Sequence, residues 1–260
     1  MGRAGTLTIL CGLMSWLVLG FSVFANDFIP QTHVNDPFDS RVFPYHQVTI
    51  LDDPAEIKWD DRVRVILPDT AEDATQVPVF VDASAIQNVS EIVVFADYAP
   101  IPLVLKAVFD GMHPSIGFRL KVEQATVIRA VVIDDKNRHF VGGSYIDALG
   151  GGCTTPDGGT AKADWVERLG QIHYRYSIAG DRLRVGIDHP MDTGLAPGIP
   201  AYFLEELQLS GNGYKSTVTL FEPVSENPVF TFSLPRSDAS SVSMTARDTG
   251  GDWFEAQLVR

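Results

Sequence analysis

The chain holds two cysteines, Cys11 and Cys153, and only the second stands where a thiol could do chemistry. Cys153 follows Gly150, Gly151 and Gly152 and precedes Thr154, Thr155, Pro156, Asp157, Gly158 and Gly159. A thiolate is a nucleophile and a point of covalent attachment, and consecutive glycines give it a backbone with no side chains to pack. The sequence therefore predicts an exposed thiol on an arm. At about 3.5 Å per residue beyond Leu149, the sulfur would reach out roughly 14 Å. The nearest charges, Asp147 and Asp157, are acidic, and no histidine lies in the loop, so nothing local lowers the thiol pKa. An unactivated thiol on a mobile arm suits a group carried to another protein's active site. Nucleophilic catalysis by the protein itself needs fixed geometry instead.

The remaining candidates read as structural. His33, His46, His113, His139, His173 and His189 are scattered without metal-ligand spacing, so no metal or cofactor is expected. The formal charge of −13, from 20 basic and 33 acidic side chains, comes with no basic cluster. That argues against a nucleic-acid partner.

The elements that must position the thiol follow from the apolar pattern. Arg3, an uncharged stretch from Gly5 to Asn26 and the small residues around Val23-Phe24-Ala25 read as an export signal over residues 1–25, cleaved after Ala25. Cleavage removes Cys11, leaving Cys153 without an internal disulfide partner and no membrane segment. Residues 26–60, with Asp36-Pro37 and Asp53-Pro54, read as a loose lead-in with a helical turn near Asp39 to Phe43. Short β-branched runs then recur over residues 61–149, from Val63 to Leu67 through Phe140 to Ile146. Phe118, Leu120 and Val122 alternate with Arg119, Lys121 and Glu123, placing the first set in a core and the second in water. Residues 150–164 form the Gly-rich loop, expected to be mobile and solvent-exposed. A second series of strands fills residues 165–260, with hairpin turns at Asn212-Gly213 and Thr249 to Asp252. The fold class is all-β, two sandwich domains joined by a Gly-rich loop.

Two sets of residues carry a family resemblance. Leu67-Pro68, Ala71-Glu72-Asp73, Val77-Pro78-Val79, Phe95 to Pro100 and the closing Gly-Gly-Gly-Cys resemble SoxY, the sulfur-compound carrier of bacterial thiosulfate oxidation. His189-Pro190-Met191-Asp192-Thr193-Gly194, Ile199 to Phe203, Asn212-Gly213 and Pro223 to Pro228 resemble its partner SoxZ. A single-chain fusion of the two is similar to the quinoprotein dehydrogenase-associated SoxYZ-like carrier proteins. The resemblance implies immunoglobulin-like sandwiches, a periplasmic location and a Cys153 that holds sulfur intermediates covalently on an arm formed by Gly150, Gly151, Gly152 and Thr154. It departs from SoxY where Cys153 is followed by a whole domain instead of a free C-terminus, so the arm would enter a partner as a two-stranded loop.

Three functions stay open on the sequence. The first is a non-enzymatic carrier serving periplasmic enzymes. The second is an adaptor for a PQQ-dependent dehydrogenase or its c-type cytochrome, with Cys153 dispensable. The third is a cysteine-nucleophile enzyme. In each the two halves pair within one molecule, and the tether makes even a weak interface sufficient.

Overall fold

The computed structural model describes residues 2, 35–155, 159–177, 181–235 and 241–259. Apart from Gly2, the export segment expected over residues 1–25 lies outside them, as do loop residues 156–158. Strands form where the apolar runs predicted them. In the first half these are β2 (Arg64–Ile66), β3 (Val77–Asp82), β4 (Val89–Ala96), β5 (Leu103–Asp110), β6 (Ser115–Leu120), β7 (Thr126–Asp134) and β8 (His139–Ile146). In the second half they are β9 (Ile172–Ser177), β10 (Arg182–Ile187), β11 (Leu204–Gly211), β12 (Tyr214–Leu220), β13 (Val229–Ser233), β14 (Ser241–Asp248) and β15 (Trp253–Val259). A further strand, β1 (Ile57–Trp59), precedes them and runs parallel to β8.

The strands build two facing sheets, and each sheet passes through both halves. The nine-stranded sheet runs β1-β8-β7-β4-β5-β12-β11-β14-β15 and the six-stranded sheet runs β2-β3-β6-β13-β10-β9. The fold is thus all-β and sandwich-like, as expected, and the two halves pair with each other. β5 and β12 pair antiparallel from Leu105↔Leu220 to Asp110↔Lys215, and β6 pairs with β13 at Gly117↔Thr231 and Ile116↔Phe232. Beyond the strand ends, Lys121 N–H donates to the Pro223 carbonyl at 2.7 Å and Ser225 N–H to the Arg119 carbonyl at 3.1 Å. One apolar core crosses the seam, joining Ile116, Leu120 and Phe109 to Val218, Phe230 and Phe232. An unpaired edge exposes a row of N–H and C=O groups, and here the two halves cover one edge of each other in both sheets, β5 against β12 and β6 against β13.

The lead-in is also better ordered than its Pro and Asp content suggested. A helix, α1, occupies Phe43–Thr49, later than the turn expected near Asp39 to Phe43, with Pro44 in its first turn. Proline there pre-sets φ and loses no hydrogen bond. Phe43, Leu51 and Ile57 bury against Val93, Phe95, Val131 and Val141 on the outer face of the nine-stranded sheet. β4 and β7 are therefore covered on both faces, which explains their near-continuous apolar runs. In that second layer Arg129 is fully buried. Its guanidinium donates to both oxygens of Asp97 at 2.7 and 2.8 Å and to both of Asp36 at 3.0 and 2.7 Å, and lies 4.1 Å from the Phe43 ring centroid.

Candidate functional site

The glycines before Cys153 fold the arm down instead of extending it. Gly150 and Gly151 take φ of +100° and +87°, a region L side chains avoid, and turn the chain back on the sandwich. Gly152 N–H donates to the Val122 carbonyl at 3.2 Å, and a Cβ at Gly152 would collide with the Ala74 carbonyl and the Val122 backbone. Cys153 is consequently only 4% exposed. This corrects the exposed thiol expected from the sequence: an absent side chain allows a close approach as readily as it allows reach. Of the expected arm, Gly152 is buried, Gly150 and Gly151 are half-buried, and Thr154 is exposed.

Both halves hold the turn. From the first half, Glu123 accepts from Cys153 N–H at 3.0 Å and, through its other oxygen, from the Thr154 hydroxyl at 3.0 Å. From the second, the Thr193 hydroxyl donates to the Cys153 carbonyl at 2.7 Å. The thiol itself faces the Lys121 carbonyl, with Sγ 3.8 Å away. It borders a cavity of about 190 Å³ lined also by Thr75, Lys121, Lys162, Asp192 and Glu226. The returning strand of the loop is pinned on the same cavity: Gly159 N–H donates to Glu226 at 3.2 Å, Thr160 N–H to Asp192 at 3.1 Å, and Lys162 pairs with Glu226 at 2.7 Å.

These surroundings suppress ionisation of the sulfur. Burial pushes the Cys153 thiol up to about 11, the Glu123 carboxylate adds to the rise, and Lys121 opposes it. Burial likewise pulls the Lys121 ammonium down to about 8 against the attraction of Cys153, Asp192 and Glu226. Lys121 donates to the carbonyl of Met191, a residue held at φ +51° in the turn that presents Asp192 and Thr193. His189 braces that turn from within: its Nδ1 accepts from Met191 N–H at 3.1 Å, and its ring lies 4.7 Å from that of Tyr202. Burial lowers His189 to about 4 despite the neighbouring Asp248, so the imidazole is neutral at neutral pH.

Sequence reasoning found Cys153 and missed the groups that hold it. The alternation of Arg119, Lys121 and Glu123 places Lys121 in water, yet β6 ends at Leu120 and the turn from His189 to Gly194 closes over the lysine. Glu123, Thr193, Asp192 and Glu226 were not singled out as site residues. The signal for the last three was present in two motifs of the second half, His189 to Gly194 and Pro223 to Pro228, which form the far wall of the cavity.

Comparison with known proteins follows the same division. The family model of the sulfur oxidation protein SoxY matches residues 48–153, ending on the cysteine, and that of the sulphur oxidation protein SoxZ matches residues 179–259. Among solved structures, the sulfur carrier protein SoxY from Chlorobium limicola f thiosulfatophilum is 19% identical over 40% of this chain and 94% of its own, with a TM-score of 0.36. A superoxide reductase (neelaredoxin) from Ignicoccus hospitalis is 16% identical over 35% of this chain and 94% of its own, with a TM-score of 0.32. No curated protein matches the chain. The chain therefore joins a domain of the SoxY sulfur-oxidation family to a domain of the SoxZ family in one polypeptide.

Proposed function

We propose that the protein is a covalent carrier in sulfur oxidation, not itself an enzyme, exported to the periplasm, where it presents a sulfur-containing group bound through Cys153 Sγ to partner enzymes. The observation that carries this reading is the placement of Cys153, the only cysteine among the described residues, on a folded-down turn where the SoxY and SoxZ domains meet. The hydrogen bonds to Cys153 itself hold its N–H and its carbonyl, and a backbone carbonyl is the hydrogen-bond partner of the sulfur. A self-sufficient nucleophile needs a base to generate its thiolate. Here the thiol is kept protonated at rest, and loading requires the turn to lift out into a partner's site. Proposed clients are periplasmic oxidoreductases, including a PQQ-dependent dehydrogenase or its c-type cytochrome, as the family resemblance implies.

Cys153→Ser in the host strain tests this. Sulfur oxidation should be lost while co-purification of the partner enzymes persists, because the serine keeps every backbone contact of the turn. Undiminished oxidation by the variant would refute carriage and leave a non-covalent adaptor.

A further inference from the structure

The outer face of the six-stranded sheet carries a basic, apolar-floored surface on an otherwise acidic chain. Residues directly opposite each other on neighbouring strands share a face. One such row reads Ile66, Phe80, Gly117, Thr231, Arg184, Arg175 across both halves. The adjoining row reads Arg64, Asp82, Ser115, then Ser233, Arg182 and Ser177. On the other side, Pro78 sits opposite Arg119. Between the rows lies a trough of about 500 Å³ whose lining includes Ile66, Pro78, Phe80, Arg119, Arg182 and Arg184 and no carboxylate. Gly117 keeps the floor open, since a Cβ there would come within 3.1 Å of Thr231 and 3.2 Å of Phe80.

The arginines are not spent on internal ion pairs. Arg119, Arg175, Arg182 and Arg184 pair with no carboxylate among the described residues, while Arg64 lies 3.5 Å from Asp82. Arg182 stacks its guanidinium over Phe80, 5.4 Å from the ring centroid. Four guanidiniums on one sheet face with no carboxylate partner among the described residues, in a chain of net charge −13, leave a local field whose complement is an anionic partner. The acidic remainder of the molecule repels a long polyanion such as nucleic acid, whereas a short segment meets this face alone.

We propose that this trough docks an acidic, extended segment of a partner protein, with carboxylates on Arg182 and Arg184 and alternate apolar side chains against Ile66, Pro78 and Phe80. Alternation along an extended chain has the period the surface offers. The trough also leads toward the thiol: Arg119 contacts Gln76 at 3.4 Å, and Gln76 donates to the carbonyl of Glu226, whose carboxylate lines the Cys153 cavity. A docked partner is thereby held beside the turn that must open. The docking rests on the arginines and not on carriage by Cys153, so a Cys153→Ser protein should bind the same segment.

Fluorescence anisotropy of the mature chain tests the proposal, with a dye-labelled peptide of about eight residues alternating glutamate and leucine, enough extended chain to cross roughly 24 Å. Binding should appear with Kd on the order of 100 µM at low salt and weaken with added salt, and a lysine-for-glutamate peptide should not bind. The double variant R182E/R184E should weaken binding at least about tenfold, and R182K/R184K should stay within about threefold. The two wild-type peptides decide the matter even if a variant does not fold. No binding at about 1 mM, equal binding of the lysine peptide, or equal binding of a single-stranded DNA of the same length would overturn the proposal.

Discussion

Iodoacetamide will alkylate Cys153 of the native protein near neutral pH at least about 100-fold more slowly than it alkylates the urea-unfolded chain, because the thiolate is the reacting species. The thiol is raised from 9.0 to about 11 by burial and by Glu123, and a rise of two pH units removes about 99% of the thiolate. The sign follows for pH: the native rate should climb steadily as pH rises toward about 11, where the unfolded chain levels off earlier. Glu123→Ala should restore much of the lost reactivity. The substitution deletes the acceptor of both the Cys153 N–H and the Thr154 hydroxyl, and one charge-assisted bond of about 1.5 to 3 kcal/mol is roughly a 10- to 150-fold change in how often the turn opens. Glu123→Gln keeps acceptor oxygen and removes the charge, so it should give a smaller gain. Native and unfolded rates that coincide, or a Glu123→Ala rate unchanged from wild type, would show that the turn is not latched.

Arg129→Met should cost about 3 to 5 kcal/mol in urea denaturation, since it strands two buried carboxylates that the guanidinium now satisfies. Asp97 and Asp36 side chains are 0% and 5% exposed. Burial alone would raise Asp36, but hydrogen bonds and charge from Arg129, with the Ser40 and Phe38 amides, hold it below its usual 3.8. Its contribution is therefore full above that pH and fades as pH falls below it, and the gap between wild type and variant should narrow there. The effect extends toward the site. Asp97 precedes Tyr98, whose N–H donates to Thr126 and whose carbonyl accepts from Gln124, the neighbour of Glu123. A loss under about 1 kcal/mol would mean that the cluster is no anchor.

The strands were legible because their side chains obey a local rule, the alternation of β6 or the β-branched content of β7. What the sequence hid is non-local. Three-residue β1 exists through its pairing with β8, and α1 through burial of Phe43 on a sheet face whose need for cover is visible only in the doubly apolar runs of β4 and β7. Arg129 sits within one of those runs, and its partners lie 32 and 93 residues away. In the same way the loop composition announced the thiol, but Gly-Gly-Gly reads identically as a free arm and as a close-packed turn. The difference lies in what approaches it, Val122 and Ala74 from the first half and Thr193 from the second. The continuous seam was equally invisible, because an edge strand and an interior strand carry the same pattern until a partner edge is placed beside them.

The central claim, that Cys153 carries a covalently bound sulfur-containing group, is tested most directly by peptide mass spectrometry of protein purified without reductant from host cells oxidising reduced sulfur compounds. Carriage predicts that the peptide containing Cys153 bears a mass addition removed by thiol reductant, and that the addition is missing from cells not performing the oxidation. A peptide bearing only the bare thiol under both conditions would contradict it.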